Sequence, residues 1–170
     1  MPRRGYGWCL KLLLVIAIGL IPMTAALQAQ PSGTTNGEWP AYGGDLRNLH
    51  YSPLDQINAS NFSKLKVAWR FRADNLGPRP EYRLVGTPLM VKGVVYATYG
   101  TRRSVIALDA VTGELLWLHT EREGRRGDTA PRQLSGRGLS YWSDGKGDDR
   151  ILYVTPGYQL AALDAKTGSL

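Results

Sequence analysis

The stretch "ALDAVTGELLW" occupies residues 107–117, and "ALDAKTGSL" occupies residues 162–170. The copies share Ala-Leu-Asp-Ala-x-Thr-Gly and start 55 residues apart, which marks an internal repeat rather than two unrelated hairpins. Around the first copy lie four short β-rich runs, "TPLMV" (87–91), "VVYATY" (94–99), "SVIALDA" (104–110) and "GELLWLHT" (113–120). Lys92-Gly93 has the length and composition of a tight hairpin connection. The rhythm returns in "GLSYWSD" (138–144), "RILYVTP" (150–156) and "QLAALDA" (159–165). Four strands per unit at this period predict an all-β chain, a β-propeller built of four-stranded antiparallel blades.

The phrase itself has a physical logic. Its aspartate, Asp109 or Asp164, can accept hydrogen bonds from amides two residues on, and its glycine, Gly113 or Gly168, can take the positive φ that the turn requires. Ala107 is small, so we expect Trp117 to fill the space beside it at a blade interface, its N–H finding a carbonyl. These roles are structural, and none is catalytic. The second copy breaks off before a tryptophan equivalent to Trp117.

The first thirty residues read differently. Arg3, Arg4 and Lys11 precede an apolar run from Leu12, and Pro22 is followed by small residues up to Ala29. Residues 1–29 are therefore expected to be a secretory signal peptide. Leu12 to Leu27 gives only sixteen positions and includes a proline, against the roughly 20 apolar residues of a membrane span. Export through this signal places the chain in the periplasm. Cys9 lies ahead of the apolar run, so it is not a lipid-acceptor cysteine, and the exported part has no thiol for a disulfide or metal.

Without the signal, the formal charge of +7 falls to 18 basic against 14 acidic residues. Arginines cluster at 122, 125, 126, 132 and 137 with no aromatic platform among them. That pattern excludes nucleic acid as the partner and leaves a solvated loop or one holding a small anion. His50 and His119 are isolated and fit no metal-ligand spacing.

The chain divides accordingly. Residues 30–38 form a polar mature N-terminus. Residues 39–86 begin with "WPAYGGDLRNLHYSPLDQIN", hold a short helical turn within "SPLDQINASNFSKL" (52–65), and include "LKVAWRF" (65–71), whose alternation predicts a strand. Blade 1 spans 87–120, a charged loop spans 121–138, and an incomplete blade 2 spans 139–170.

Three blocks, "WPAYGGDLRNLHYSPLDQIN", "LKVAW" and the blade-1 phrase followed by "GRGLSYW" (136–142), resemble the dehydrogenases that use pyrroloquinoline quinone (PQQ). The resemblance covers residues 39–170. It implies an eight-bladed propeller, of which only about the first two blades are present, with the quinone in the central channel beside a calcium ion. It further implies oxidation of an alcohol, polyol or aldose sugar by hydride transfer, with electrons passed to cytochrome c or a membrane quinone. The resemblance places Arg137 on a cofactor carboxylate, where a guanidinium fork suits bidentate geometry, and Thr155 in a hydrogen bond to the cofactor. The calcium ligands and the catalytic base of the family lie beyond Leu170, so the 170 residues alone are expected to be inactive.

Two departures bear on the substrate and the site. Alcohol-oxidising members carry adjacent cysteines shortly before the arginine, whereas "APRQLSGR" (130–137) has none and looks more like the glucose dehydrogenase branch. Many members also have a glutamate before the "TP" strand, where this chain has Val85. A second reading is a non-catalytic propeller of the same repeats, serving as a protein-binding scaffold in outer-membrane assembly. It has no need of the N-terminal motif or of "GRGLSYW".

Overall fold

A computed structural model describes residues 34–72, 74, 85–100, 102–134 and 138–170 of the chain. The expected signal peptide at 1–29 lies outside the described residues. So does Arg137.

Two antiparallel sheets form, one per copy of the repeat. The first contains β1 (Leu89–Val91), β2 (Val94–Tyr99), β3 (Ser104–Asp109) and β4 (Leu115–His119), hydrogen-bonded in that order. The second contains β5 (Ser140–Ser143), β6 (Asp149–Val154) and β7 (Leu160–Asp164), again in chain order. Strand patterning explains the layout. Leu89 and Val91, then Ile151 and Tyr153, then Ala161 and Leu163 are the buried residues of alternating runs, and together they build one core with Tyr96, Val105 and Ala107. In β3 the other face is buried too, by Ile106 and Leu108, so this strand reads as a continuous apolar run. Lys92 (φ 51) and Gly93 (φ 78) make the predicted hairpin with positive φ at both positions, the mark of a type I′ turn.

The repeated phrase makes the same turn twice. Asp109 Oδ1 accepts the amides of Val111 and Thr112 and the Thr112 hydroxyl, at 2.9, 2.8 and 3.0 Å. Asp164 Oδ1 accepts the amides of Lys166 and Thr167 and the Thr167 hydroxyl, at 3.1, 2.8 and 2.8 Å. These bonds hold both carboxyls below their usual range.

Trp117 lies beside Ala107 and its N–H finds a carbonyl, as expected, and the structure adds which copy it serves. Ala107 and Trp117 are neighbours in register within one sheet, and the Trp117 ring does not serve its own copy of the phrase. Its Nε1–H donates to the carbonyl of Ala165 at 3.0 Å, in the second copy. Trp69 does the same for the first copy, donating to Ala110 at 3.1 Å. Each ring lies where a glycine side chain would be. A Cβ on Gly113 would come within 2.5 Å of the Trp69 ring, and one on Gly168 within 2.6 Å of the Trp117 ring. The shape the two turns share is thus a socket for the tryptophan that precedes each in the chain. Tyr96 donates to the same Ala165 carbonyl at 3.1 Å, and burial pushes its phenol up to about 12.

Residues 65–71 carry no strand, although Trp69 docks as described. A strand needs a ladder partner, and none is present among the described residues; Val67 accordingly stays 64% exposed. The expected helical turn is found at Phe62–Lys64 as a 3-10 turn. The N-terminal motif reaches the free edge of β1, where Trp39 and Met90 exchange two backbone hydrogen bonds of 2.7 and 3.0 Å. No helix among the described residues is long and apolar enough to cross a membrane.

Lys92 and Asp149 join the two sheets across 2.6 Å. The ammonium of Lys92 is the chief reason that the Asp149 carboxyl is held at about 2 instead of 3.8. A depressed folded pKa contributes stability above the unfolded value and loses it as pH falls through the folded one. The Lys92→Met variant should therefore be less stable than the parent near neutral pH, by under about 1 kcal/mol for so exposed a lysine. The gap should close between pH 4 and 2, as urea unfolding at stepped pH would show; a gap independent of pH would contradict this origin.

Candidate functional site

The starts of β1, β3 and β5 and the ends of β2, β4 and β6 gather a set of polar contacts between the two repeats. Thr87 forms an isolated parallel bridge to Gly138 at the starts of the two inner strands. A Cβ on Gly86 would lie 3.2 Å from the Gly138 backbone, so the sheets approach closely here. Arg137 precedes Gly138 in the chain. Its neighbour is thereby pinned to blade 1.

Thr155, just beyond the end of β6, is 1% exposed. Its hydroxyl donates to Glu123 Oε1 at 2.6 Å and accepts the Gln159 amide at 3.0 Å. Glu123 Oε2 also accepts the Gly157 amide at 2.6 Å, and the glutamate side chain is 2% exposed. The charged loop is thus not simply solvated: its one deeply buried acid ties it to the β6–β7 turn. A four-residue helix, α1 (Arg125–Asp128), interrupts the same loop.

Arg103, in the turn between β2 and β3, is 9% exposed and sits at φ 50. Its guanidinium donates to four carbonyls: Leu134 at 2.9 Å, Val154 at 2.8 Å, Thr155 at 3.2 Å and Arg132 at 2.8 Å. Burial lowers its pKa from the usual value, while a guanidinium remains charged. In the same turn and in the charged loop, Arg102, Arg122, Arg125, Arg126 and Arg132 are exposed. Such a concentration of cations raises the local potential and favours an anion.

Tyr153 faces the same end from β6. It is 3% exposed, its hydroxyl has no hydrogen-bond partner among the described residues, and burial pushes the phenol up to about 12. The His119 ring meets it edge-on at 6.2 Å between centroids, and its Nε2 lies 3.3 Å from Glu121. The charges that act on this buried hydroxyl are those of Glu121, Glu123 and Arg103. Among the described residues no three His, Cys, Asp or Glu side chains converge as a metal site. His50 packs edge-on against Tyr42.

Arg103 and Glu123 were not singled out from the sequence. "TRRS" shows a turn with two arginines and nothing that tells which is buried, and Glu123 hides among arginines in "EREGRRG". Val85, which stands where many members have a glutamate, is 49% exposed.

Antiparallel sheets in chain order, each docked by the tryptophan of the preceding unit, define a β-propeller protein. Polar, basic strand ends suited to an anion narrow the class further. The chain belongs to the PQQ family described as glucose/ethanol/alcohol dehydrogenase, β-propeller domain, whose model matches residues 39–170. It is 40% identical over 147 residues to the dehydrogenase subunit of the alcohol dehydrogenase (quinone) of Gluconobacter oxydans strain 621H, covering 85% of this chain and 18% of that protein. It is 29% identical over 151 residues to the glycerol dehydrogenase large subunit of the same organism, covering 83% of this chain and 20% of the relative. Among solved structures, the quinohemoprotein alcohol dehydrogenase ADHIIG of Pseudomonas putida HK5 superposes with a TM-score of 0.65 at 32% identity, covering 78% of this chain and 18% of that one. The chain therefore spans about a fifth of the length of the relatives it matches.

Proposed function

We propose that this chain supplies the opening blades of an exported quinoprotein dehydrogenase that oxidises a hydroxyl-bearing substrate. The observation that carries this reading is the family match across both blades and the N-terminal motif together, residues 39–170. The basic strand ends are compatible with a polyanionic quinone. When bound, PQQ accepts two electrons and a proton equivalent from the substrate, with a calcium ion polarising its carbonyl.

The chain's own residues bind and orient. Arg137 would take a cofactor carboxylate in a bidentate fork; the residue after it, Gly138, bridges Thr87. Thr155 would contribute its remaining lone pair, because its proton is committed to Glu123. The exposed arginines would draw the anionic cofactor in. The catalytic base and the calcium ligands would come from outside these residues, so the 170 residues alone would bind without turning over.

For substrate we propose a polyol, with glucose-like aldoses as the nearest alternative. The absence of paired cysteines in 130–137 points away from simple alcohols, and one relative is named for glycerol. Electrons would leave to a cytochrome c or a membrane quinone, and residues 1–29 would direct the protein to the periplasm.

The test is reconstitution of the intact protein with PQQ and calcium, followed by dye reduction with glycerol, glucose or ethanol. Turnover with glycerol, fastest of the three, is expected. Turnover with ethanol alone would overturn the substrate class. No turnover and no quinone uptake would leave the binding-scaffold reading.

A further inference from the structure

We propose that Arg103 and Glu123 are positioning residues: together they lock the segment 132–134, which precedes Arg137 in the chain, and the turn carrying Thr155 into one rigid unit before any cofactor arrives. The inference rests on the reading of Arg137 and Thr155 as cofactor contacts.

Arg103 reaches two separate segments with one planar group. The carbonyls of Arg132 and Leu134 belong to the run that enters Arg137, and those of Val154 and Thr155 belong to the end of β6. A guanidinium presents five N–H donors in a fixed fork, so it sets the distance between these segments as well as joining them. The backbone at Arg103 is held at φ 50, a left-handed conformation unfavourable to a residue with a Cβ. The fold tolerates that strain to aim this side chain inward. Among the described residues no carboxylate pairs with the guanidinium within ion-pair distance. Its charge is met by four carbonyl dipoles and by the field of Glu123.

Glu123 acts on the second half of the unit. A carboxylate can only accept, so the Thr155 proton must point at Glu123. The Gln159 amide uses one acceptor position of the same hydroxyl, and the Gly157 amide fixes the other carboxylate oxygen. Thr155 is thus held in one rotamer and one polarity, able to receive a hydrogen bond from a ligand donor and unable to offer one. The absence of a Cβ at Gly157 is needed for this, since one would lie 2.5 Å from Glu123 Oε1.

Neither residue touches the expected cofactor position through any contact described, so both act through others. The experiment is a double-mutant cycle of Arg103→Lys with Arg137→Ala in the intact apo-protein, read by PQQ titration and by urea unfolding. A lysine ammonium is a point donor and cannot span both segments. The single variant should bind PQQ about tenfold more weakly, as misplacement of a contacting group does. In the Arg137→Ala background the same substitution should change affinity less than about twofold, because coupled residues are non-additive. Equal losses in both backgrounds, or lowered stability with unchanged affinity of the folded protein, would overturn the proposal. Should Arg103→Lys fail to fold, Glu123→Gln must weaken PQQ binding to the folded protein, while the midpoint also falls because one amide oxygen cannot accept from both Thr155 and Gly157; unchanged affinity of the folded variant counts against the clamp equally. If the parent protein takes up no PQQ, the functional reading fails first and the clamp with it. If Arg137→Ala binds as the parent does, the loss lies in that assignment alone and the coupling vanishes for a different, recognisable reason.

Discussion

Replacing Trp117 with alanine should lower the unfolding free energy of the intact protein by about 3 kcal/mol, the lower part of the range for loss of a large core aromatic. The ring is partly exposed, which keeps the figure low, but its removal undoes several contacts at once. The hydrogen bond to Ala165 disappears, the ring no longer covers Gly168, and Tyr96 loses its neighbour at 5.9 Å between centroids. Tyr96 still donates to Ala165, so that carbonyl is not orphaned. Against a typical total of about 5–15 kcal/mol, such a loss is severe. Trp117→Phe should restore most of the burial and none of the N–H bond, leaving a deficit of about 1 kcal/mol. Urea unfolding measures both. A Trp117→Ala protein with an unchanged midpoint would mean that the sheets are held together by something other than this docking.

Arg137→Ala should weaken PQQ binding about a hundredfold while leaving the unfolding midpoint of the apo-protein unmoved. Loss of one partner from a desolvated, bidentate ion pair costs several kcal/mol in binding, and about 2.7 kcal/mol corresponds to that factor. Arg137→Lys should recover only part of the affinity, since an ammonium cannot form two parallel bonds to one carboxylate. Titration of the apo-protein with PQQ is the measurement. Affinity within twofold of the parent would remove Arg137 from the site, whatever the fate of the fold.

What could be read from the sequence was local. The Asp–Thr–Gly turns, the Lys92-Gly93 hairpin and the strand alternation are settled by residues within a few positions of one another, and the structure has them where the pattern puts them. The direction of tryptophan docking was not local. Trp69 and Trp117 reach carbonyls 41 and 48 residues away, and periodicity cannot say which copy a ring serves. The strand expected at 65–71 failed for a related reason: alternation describes a face, whereas a strand also needs a neighbour.

The same divide runs through the site. Thr155 could be named from its setting in "LYVTPG", but Glu123, which decides what its hydroxyl can do, is 32 residues distant. Arg103 joins segments 29 to 52 residues away and reads in sequence as one of two turn arginines. Partners at such separations become visible only when the sheets are stacked.

Because each tryptophan leaves its own sheet to seat in the next copy's turn, the effect of a substitution is displaced from its position. A lesion at Trp117 loosens the turn at 165–168, and a side chain added at Gly168 evicts a ring rooted in the previous blade. Suppressors of a defect in one repeat should therefore be sought one repeat away. Repeats of this kind also cannot be exchanged as self-contained units: the natural cut falls between a turn and its tryptophan, since the two belong to different joints.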